Sequence, residues 1–144
     1  KSGDIIIADT AEDLTAGKAV EVQNIGDRVI YSGLHTMLCR PKEQLFSDGW
    51  LGFYMNSEAY HKQLIPYIAG VKVMAISKSN IVKTYIAIPS KAEQAAIVEI
   101  LSTANHEIDL LQKSIEAEKQ KKKALMQLLL MEEARVEDEQ RQDG

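Results

Sequence analysis

The sequence predicts an α+β protein: a small mixed sheet with a packed helix, followed by one long C-terminal coiled-coil helix. Three observations predict it. Short β-branched runs separated by Gly, Asp and Asn fill residues 3–45 and return between 71 and 88. Between them, Trp50, Phe53, Tyr54, Tyr60 and Leu64 follow the three- and four-residue steps of one helical face. From Lys91 to about Leu130, apolar residues repeat in alternating steps of four and three.

Asp4 to Ala8 is a β-branched run suited to a buried strand, and Lys18 to Val22 alternates around Ala19 and Glu21. Arg28 to Tyr31 follows the turn signal Asn24-Ile25-Gly26-Asp27, and Leu34 to Arg40 continues as a strand until Pro41 removes a ladder donor. A helix is expected within 47–68, with Ser47 or Asp48 as N-cap and Pro66 at its end. Beyond Ala69-Gly70, Val71 to Ile76 and Tyr85 to Ile88 read as strands around the polar Ser77-Lys78-Ser79-Asn80 segment. Ser90 and Glu93 form a capping box at the start of the long helix. Its seam comprises Ile97, Leu101, Ala104, Ile108, Leu111, Ile115, Leu125 and Leu129, with charged Glu118 and Lys122 interposed. A helix over 91–130 spans about 60 Å and cannot bury such a stripe on a body of about ninety residues. A second long helix must cover it.

The hydrophobic fraction of 45% suits a folded chain, and no run approaches the roughly 18 apolar residues of a membrane span. The first apolar run, Ile5-Ile6-Ile7, is too short for a signal peptide. With Cys39 alone there is no internal disulfide, which points to a reducing cytoplasm. Net charge is −4, all of it carried by residues 131–144; residues 1–130 hold fifteen charges of each sign. Composition therefore neither shows nor excludes a basic face. The chain begins with Lys1, not Met, and is in a strand within five residues, so it is expected to be a fragment, a processed product or a piece cut from something longer.

Catalytic constellations are not in evidence. Gly17-Lys18 lacks the spacing and hydroxyl of a phosphate-binding loop. His35, His61 and His106 lie 26 and 45 residues apart, which is not zinc-ligand spacing. Cys39 and His35, four apart on a strand, would stand roughly 13 Å from each other. Asp9, Glu12 and Asp13 cluster in a loop, where carboxylates more often bond their own backbone than a cation. The Lys119 to Lys123 run has the composition of a nucleic-acid stripe but better suits a solvated face near a helix C-terminus. No catalytic residue, metal site or cofactor is expected.

Two stretches carry a resemblance. Gly70, then Ile76-Ser77-Lys78-Ser79-Asn80, then Ile86-Ala87-Ile88-Pro89 is similar to the end of a target recognition domain in type I restriction-modification specificity subunits. Ala92-Glu93-Gln94, Ile97-Val98 and Ile100-Leu101 resemble the "Glu-Gln-x-x-Ile-Val-x-Ile-Leu" start of that family's spacer helix, and Lys121 to Leu129 resembles its Lys-rich end. Upstream, Gly3 to Asp9 and Ser32 to Thr36 also look like family strands, so the likeness covers roughly 3–130.

The resemblance implies a non-catalytic reader of double-stranded DNA. Two recognition domains each read half of a split sequence while two antiparallel helices hold them apart. A modification subunit with an adenine methyltransferase site docks on this frame, and a motor-nuclease subunit adds restriction. Here residues 1–89 would be a partial recognition domain and 90–130 the spacer or dimerisation helix; 131–144, a charged tail without a family counterpart, reads from its composition as a frayed helix end or a disordered segment. The second helix would come from another copy or from the other half of the specificity subunit.

Base readout needs donors and acceptors on loops held by a rigid sheet. The loops with that chemistry run from Asp9 to Lys18 and from Lys72 to Lys83. The DNA-facing candidates are Lys72, Lys78, Ser79, Asn80 and Lys83, followed by Thr10, Thr15 and Lys18; each could equally be a plain surface residue. The rival functions are an assembly or regulatory coiled-coil fragment without useful DNA affinity, and an unrelated small enzyme with an accessory coiled coil.

Overall fold

A computed structural model describes residues 1–42 and 44–142, with side chains as far as Met131. Asp143 and Gly144, the end of the expected tail, lie outside the described residues. The architecture is α+β, as the pattern predicts. β1 (Ile5–Ala8) is the centre of a three-stranded antiparallel sheet, flanked by β3 (Ala19–Glu21) and β4 (Thr36–Cys39). Ile5 pairs with Glu21 and Cys39, and Ile7 with Ala19 and Met37. Strand alternation sends Ile5 and Ile7 into the core, while Ile6 lies between the exposed Val20 and Leu38 on the other face.

A second, smaller sheet has the order β2-β6-β5, with β2 at Thr10–Ala11, β5 at Ala69–Gly70 and β6 at Met74–Ala75. Ile5, Ile7 and Ala19 share one core with Ile76 and with Trp50, Leu51, Met55, Tyr60 and Leu64 from the helices. Trp50 stacks on Tyr54 at 5.6 Å between ring centroids, and Tyr54 meets Tyr60 tilted at 5.9 Å.

Several expected elements differ from the structure. Arg28 to Tyr31 is exposed coil, because both edges of β1 are already paired and the Arg28 guanidinium bonds back to Asn24 and Ile25 carbonyls. The helix expected over 47–68 is two: α1 (Trp50–Tyr54) and α2 (Glu58–Leu64), followed by a 3-10 turn, Ile65–Tyr67, that contains Pro66. Ser57 breaks the run by capping α2 through Tyr60 N–H at 3.3 Å. The adjacent Asn56 side chain pairs with both backbone groups of Ala19. Gly49, not Ser47 or Asp48, precedes α1. Its left-handed backbone and the Gly52 N–H let Glu21 accept from both amides, at 2.6 and 2.9 Å.

Tyr85 to Ile88 is not a strand; the Gln63 amide donates to Tyr85 O and accepts from Tyr85 N, taking the place of a ladder partner. Lys78–Ile81, expected as a connection, is a short helix α3.

Helix α4 runs from Lys91 to Gln142, past the expected end near Leu130 and about 78 Å long at the usual rise. Ser90 caps it through Glu93 N–H at 3.3 Å. The chain divides into two compact units, 1–101 and 102–144, so the first turns of α4 belong to the body. Gln94 explains why. Fully buried, it accepts from Ser47 N at 2.8 Å and donates to Leu45 O at 3.2 Å and Pro89 O at 2.8 Å. Ile97 and Val98 pack beside it against the core.

Candidate nucleic-acid interface

The small sheet joins the two candidate loops. Thr10 pairs with Ala75 and Ala11 with Met74, and Ile76 N donates to Asp9 O at 2.8 Å. The strand β2 inside the first loop is thus laid against β6 inside the second, a long-range contact that local patterns do not contain.

Thr10 is half-buried in β2. Thr15 is half-buried in the following turn, where its N–H donates to Asp13 Oδ1 at 2.8 Å and its carbonyl accepts from Lys18 N. Hydrogen bonding from Thr15, its side chain first and its backbone N–H second, holds the Asp13 carboxyl below its ordinary value, and this acidic loop is a self-bonded turn. Lys18 is exposed just before β3.

Lys72 stands at the tip of the β5–β6 hairpin. Lys78 and Ser79 open α3, with Ser79 Oγ 2.8 Å from Ser77 Oγ. Asn80 Oδ1 accepts from Lys83 Nζ at 2.9 Å, and that ammonium lies 5.1 Å over the Tyr67 ring. Thr84 anchors the loop below, its hydroxyl donating to Ile81 O and lying 3.0 Å from the Tyr60 hydroxyl in the core. Lys78, Ser79 and Lys83 are exposed on a braced backbone, the arrangement that phosphate and base-edge contacts require.

Sequence reasoning missed one signal at this site. Residues 1–58 carry nine carboxylates against five lysines and arginines, whereas 59–92 carry five lysines and no carboxylate. Net charge averaged this contrast away. Every lysine proposed from the second loop lies in the acid-free stretch.

Asp4, 3% exposed, receives two hydrogen bonds from the Arg40 guanidinium, both at 2.6 Å, and that partner holds its carboxyl far below the carboxylate range. Burial pushes the Cys39 thiol up, and the charge of Lys78 opposes that shift only in part. His35 is not on the strand with Cys39; it occupies a left-handed turn before β4, with Nδ1 3.6 Å from Asp9 Oδ1. Among the described residues, no three of His, Cys, Asp and Glu are grouped to hold a metal ion. No helix among them is long and apolar enough to cross a membrane.

Of the expected helix seam, Ile97 is half-buried against the body's core. Leu101, Ala104, Ile108, Leu111, Ile115, Leu125 and Leu129 are all exposed.

The family described as type I restriction modification DNA specificity domain matches residues 1–120. No curated protein and no solved structure matches the chain. The match takes in both sheets, the two joined loops and the first thirty residues of α4. The chain belongs to the type I restriction modification DNA specificity domain family.

Proposed function

We propose that this chain reads one half of a split DNA sequence for a type I restriction-modification system and hands that specificity to an associated adenine methyltransferase and a restriction subunit. The family match over 1–120 carries the reading. It is a non-catalytic role, in which Lys72, Lys78, Ser79, Asn80 and Lys83, with Thr10, Thr15 and Lys18, face the duplex. Lysines and hydroxyls fix the register on phosphates; Asn80 and the loop backbone offer donors and acceptors to base edges. Asn80 and Lys83 hold one another in the free protein, and an exposed pair of this kind is weak enough to open for phosphate. A cytoplasmic setting, as expected from the single cysteine, goes with this role.

The exposed seam from Leu101 to Leu129 supports pairing with a second long helix, from another copy or from another half of the same subunit. The same feature favours a second reading, an assembly fragment that pairs through α4 and binds modification subunits without useful DNA affinity. Co-expression with a compatible modification subunit and mapping of adenine methylation across the host genome separates the two. A split, palindromic methylated motif is expected if two copies pair and residues 3–89 read DNA. Co-purification of the modification subunit without methylation would instead support the assembly reading.

A further inference from the structure

The β5–β6 hairpin ends in Val71-Lys72-Val73, and the two valines are 96% and 55% exposed. This tip is held in shape by Gly70. A Cβ there would run into the Val73 carbonyl oxygen and come within 2.8 Å of its carbon and 3.0 Å of the Met74 Cα. All three are backbone atoms that cannot swing aside, so the turn closes only with glycine. Pairing of β6 with β2 on its other edge braces the hairpin from behind. Side chains this exposed at a rigid tip add little to folding stability and are free to make an external contact.

Charge identifies the contact. The tip lies within the stretch 59–92, which has five lysines and no carboxylate, complementary to a polyanion. Shape agrees at the tip: beyond the last pairs of the three-stranded β2-β6-β5 sheet only the single turn Val71-Lys72-Val73 remains, which the major groove of B-DNA, about 12 Å wide, can admit. In that groove the apolar feature is the thymine C5-methyl group. Glu12, the next residue after the Ala11–Met74 pair, is carried by the register toward the tip and is exposed. Phosphate would repel a carboxylate there, whereas the cytosine N4 amino group, a base-edge donor, would accept it as a partner.

Building on the DNA-reading role proposed above, we infer that this hairpin tip enters the major groove and that Val71 and Val73 contact thymine methyl groups. Lys72, between them, meets the flanking phosphate.

The test uses the full chain and short duplexes enriched by it from a random-sequence pool, copied with either thymine or uracil. Uracil removes only the C5-methyl group. The unmodified chain should bind uracil duplexes about tenfold more weakly, the worth of one or two apolar methyl contacts. Val71→Ala/Val73→Ala should bind thymine duplexes with that same loss and suffer none further from uracil. Its salt dependence should be unchanged, since no charge is altered. Trp50 fluorescence confirms that the variant is folded. Equal affinity of the unmodified chain for both duplexes, or a full uracil penalty in the variant, overturns the inference and leaves the DNA-reading role intact. Loss of modification-subunit binding in the variant, with DNA affinity retained, reassigns the tip to a protein contact and also overturns it. Failure of any duplex to bind removes the DNA-reading role and this inference together.

Discussion

Replacing Gln94 with alanine removes the fully buried amide that ties the start of α4 to the body. Three hydrogen bonds disappear: Ser47 N loses its acceptor, and the carbonyls of Leu45 and Pro89 lose a donor. A net contribution near 1 kcal/mol per bond gives about 3 kcal/mol as an upper figure. Solvent can reach the exposed Leu45 and re-satisfy its carbonyl, which lowers the expected loss to about 2 kcal/mol. For a body of about a hundred residues this is a fall in Tm on the order of 10 °C. Trp50, the single tryptophan and a core residue, reports the transition by fluorescence. Gln94→Glu should be at least as damaging, because a carboxylate cannot donate to two carbonyl oxygens and would be buried against them. Gln112→Ala, at an exposed position on the same helix, is the control and should stay within about 0.5 kcal/mol. If Gln94→Ala unfolds like the control, the amide does not hold α4 in place and the packing argument fails.

Leu111→Glu puts a charge into the exposed seam of α4, so any self-pairing seen as concentration-dependent mass in sedimentation should vanish; unchanged mass would count against a helix pair. Acid sensitivity should trace to Asp4. Its folded-state carboxyl lies below the ordinary 3.8 because Arg40 bonds it, so its stabilising effect is complete above that value and is lost as pH falls through the folded-state value. Arg40→Ala should therefore flatten the decline in Trp50-monitored stability below about pH 4, and parallel acid profiles for the two proteins would refute the assignment.

Much of the fold is legible in the sequence because it is written locally. The Ile5-Ile6-Ile7 run, the alternation around Ala19 and Glu21, and the heptad spacing after Lys91 each state a periodicity that needs no distant partner. The failures share one cause. Val29-Ile30 has strand propensity, but β1 had no edge left to offer. Asn56 and Ser57 sit inside a helical pattern, yet bonds to Ala19 and a cap on α2 divide it. The partners of Gln94 lie 5, 47 and 49 residues away, so a motif visible as a resemblance acquired its physical reason only from the fold. For the candidate loops, the polar and basic residues were visible in the sequence, while the joining of the two loops by β2 and β6 was not. The acid-free stretch was present in the sequence throughout and was hidden by summing charge over the whole chain.

The most direct test of the central claim is the salt dependence of duplex DNA binding by the full chain and by Lys72→Ala/Lys78→Ala/Lys83→Ala. Each phosphate contact adds about 0.9 to the slope of log affinity against log salt. The account predicts a steep slope for the unmodified chain and one shallower by about two or more for the triple variant, with Trp50 fluorescence unchanged. Equal slopes for the two proteins, or no duplex binding at low salt, would contradict it.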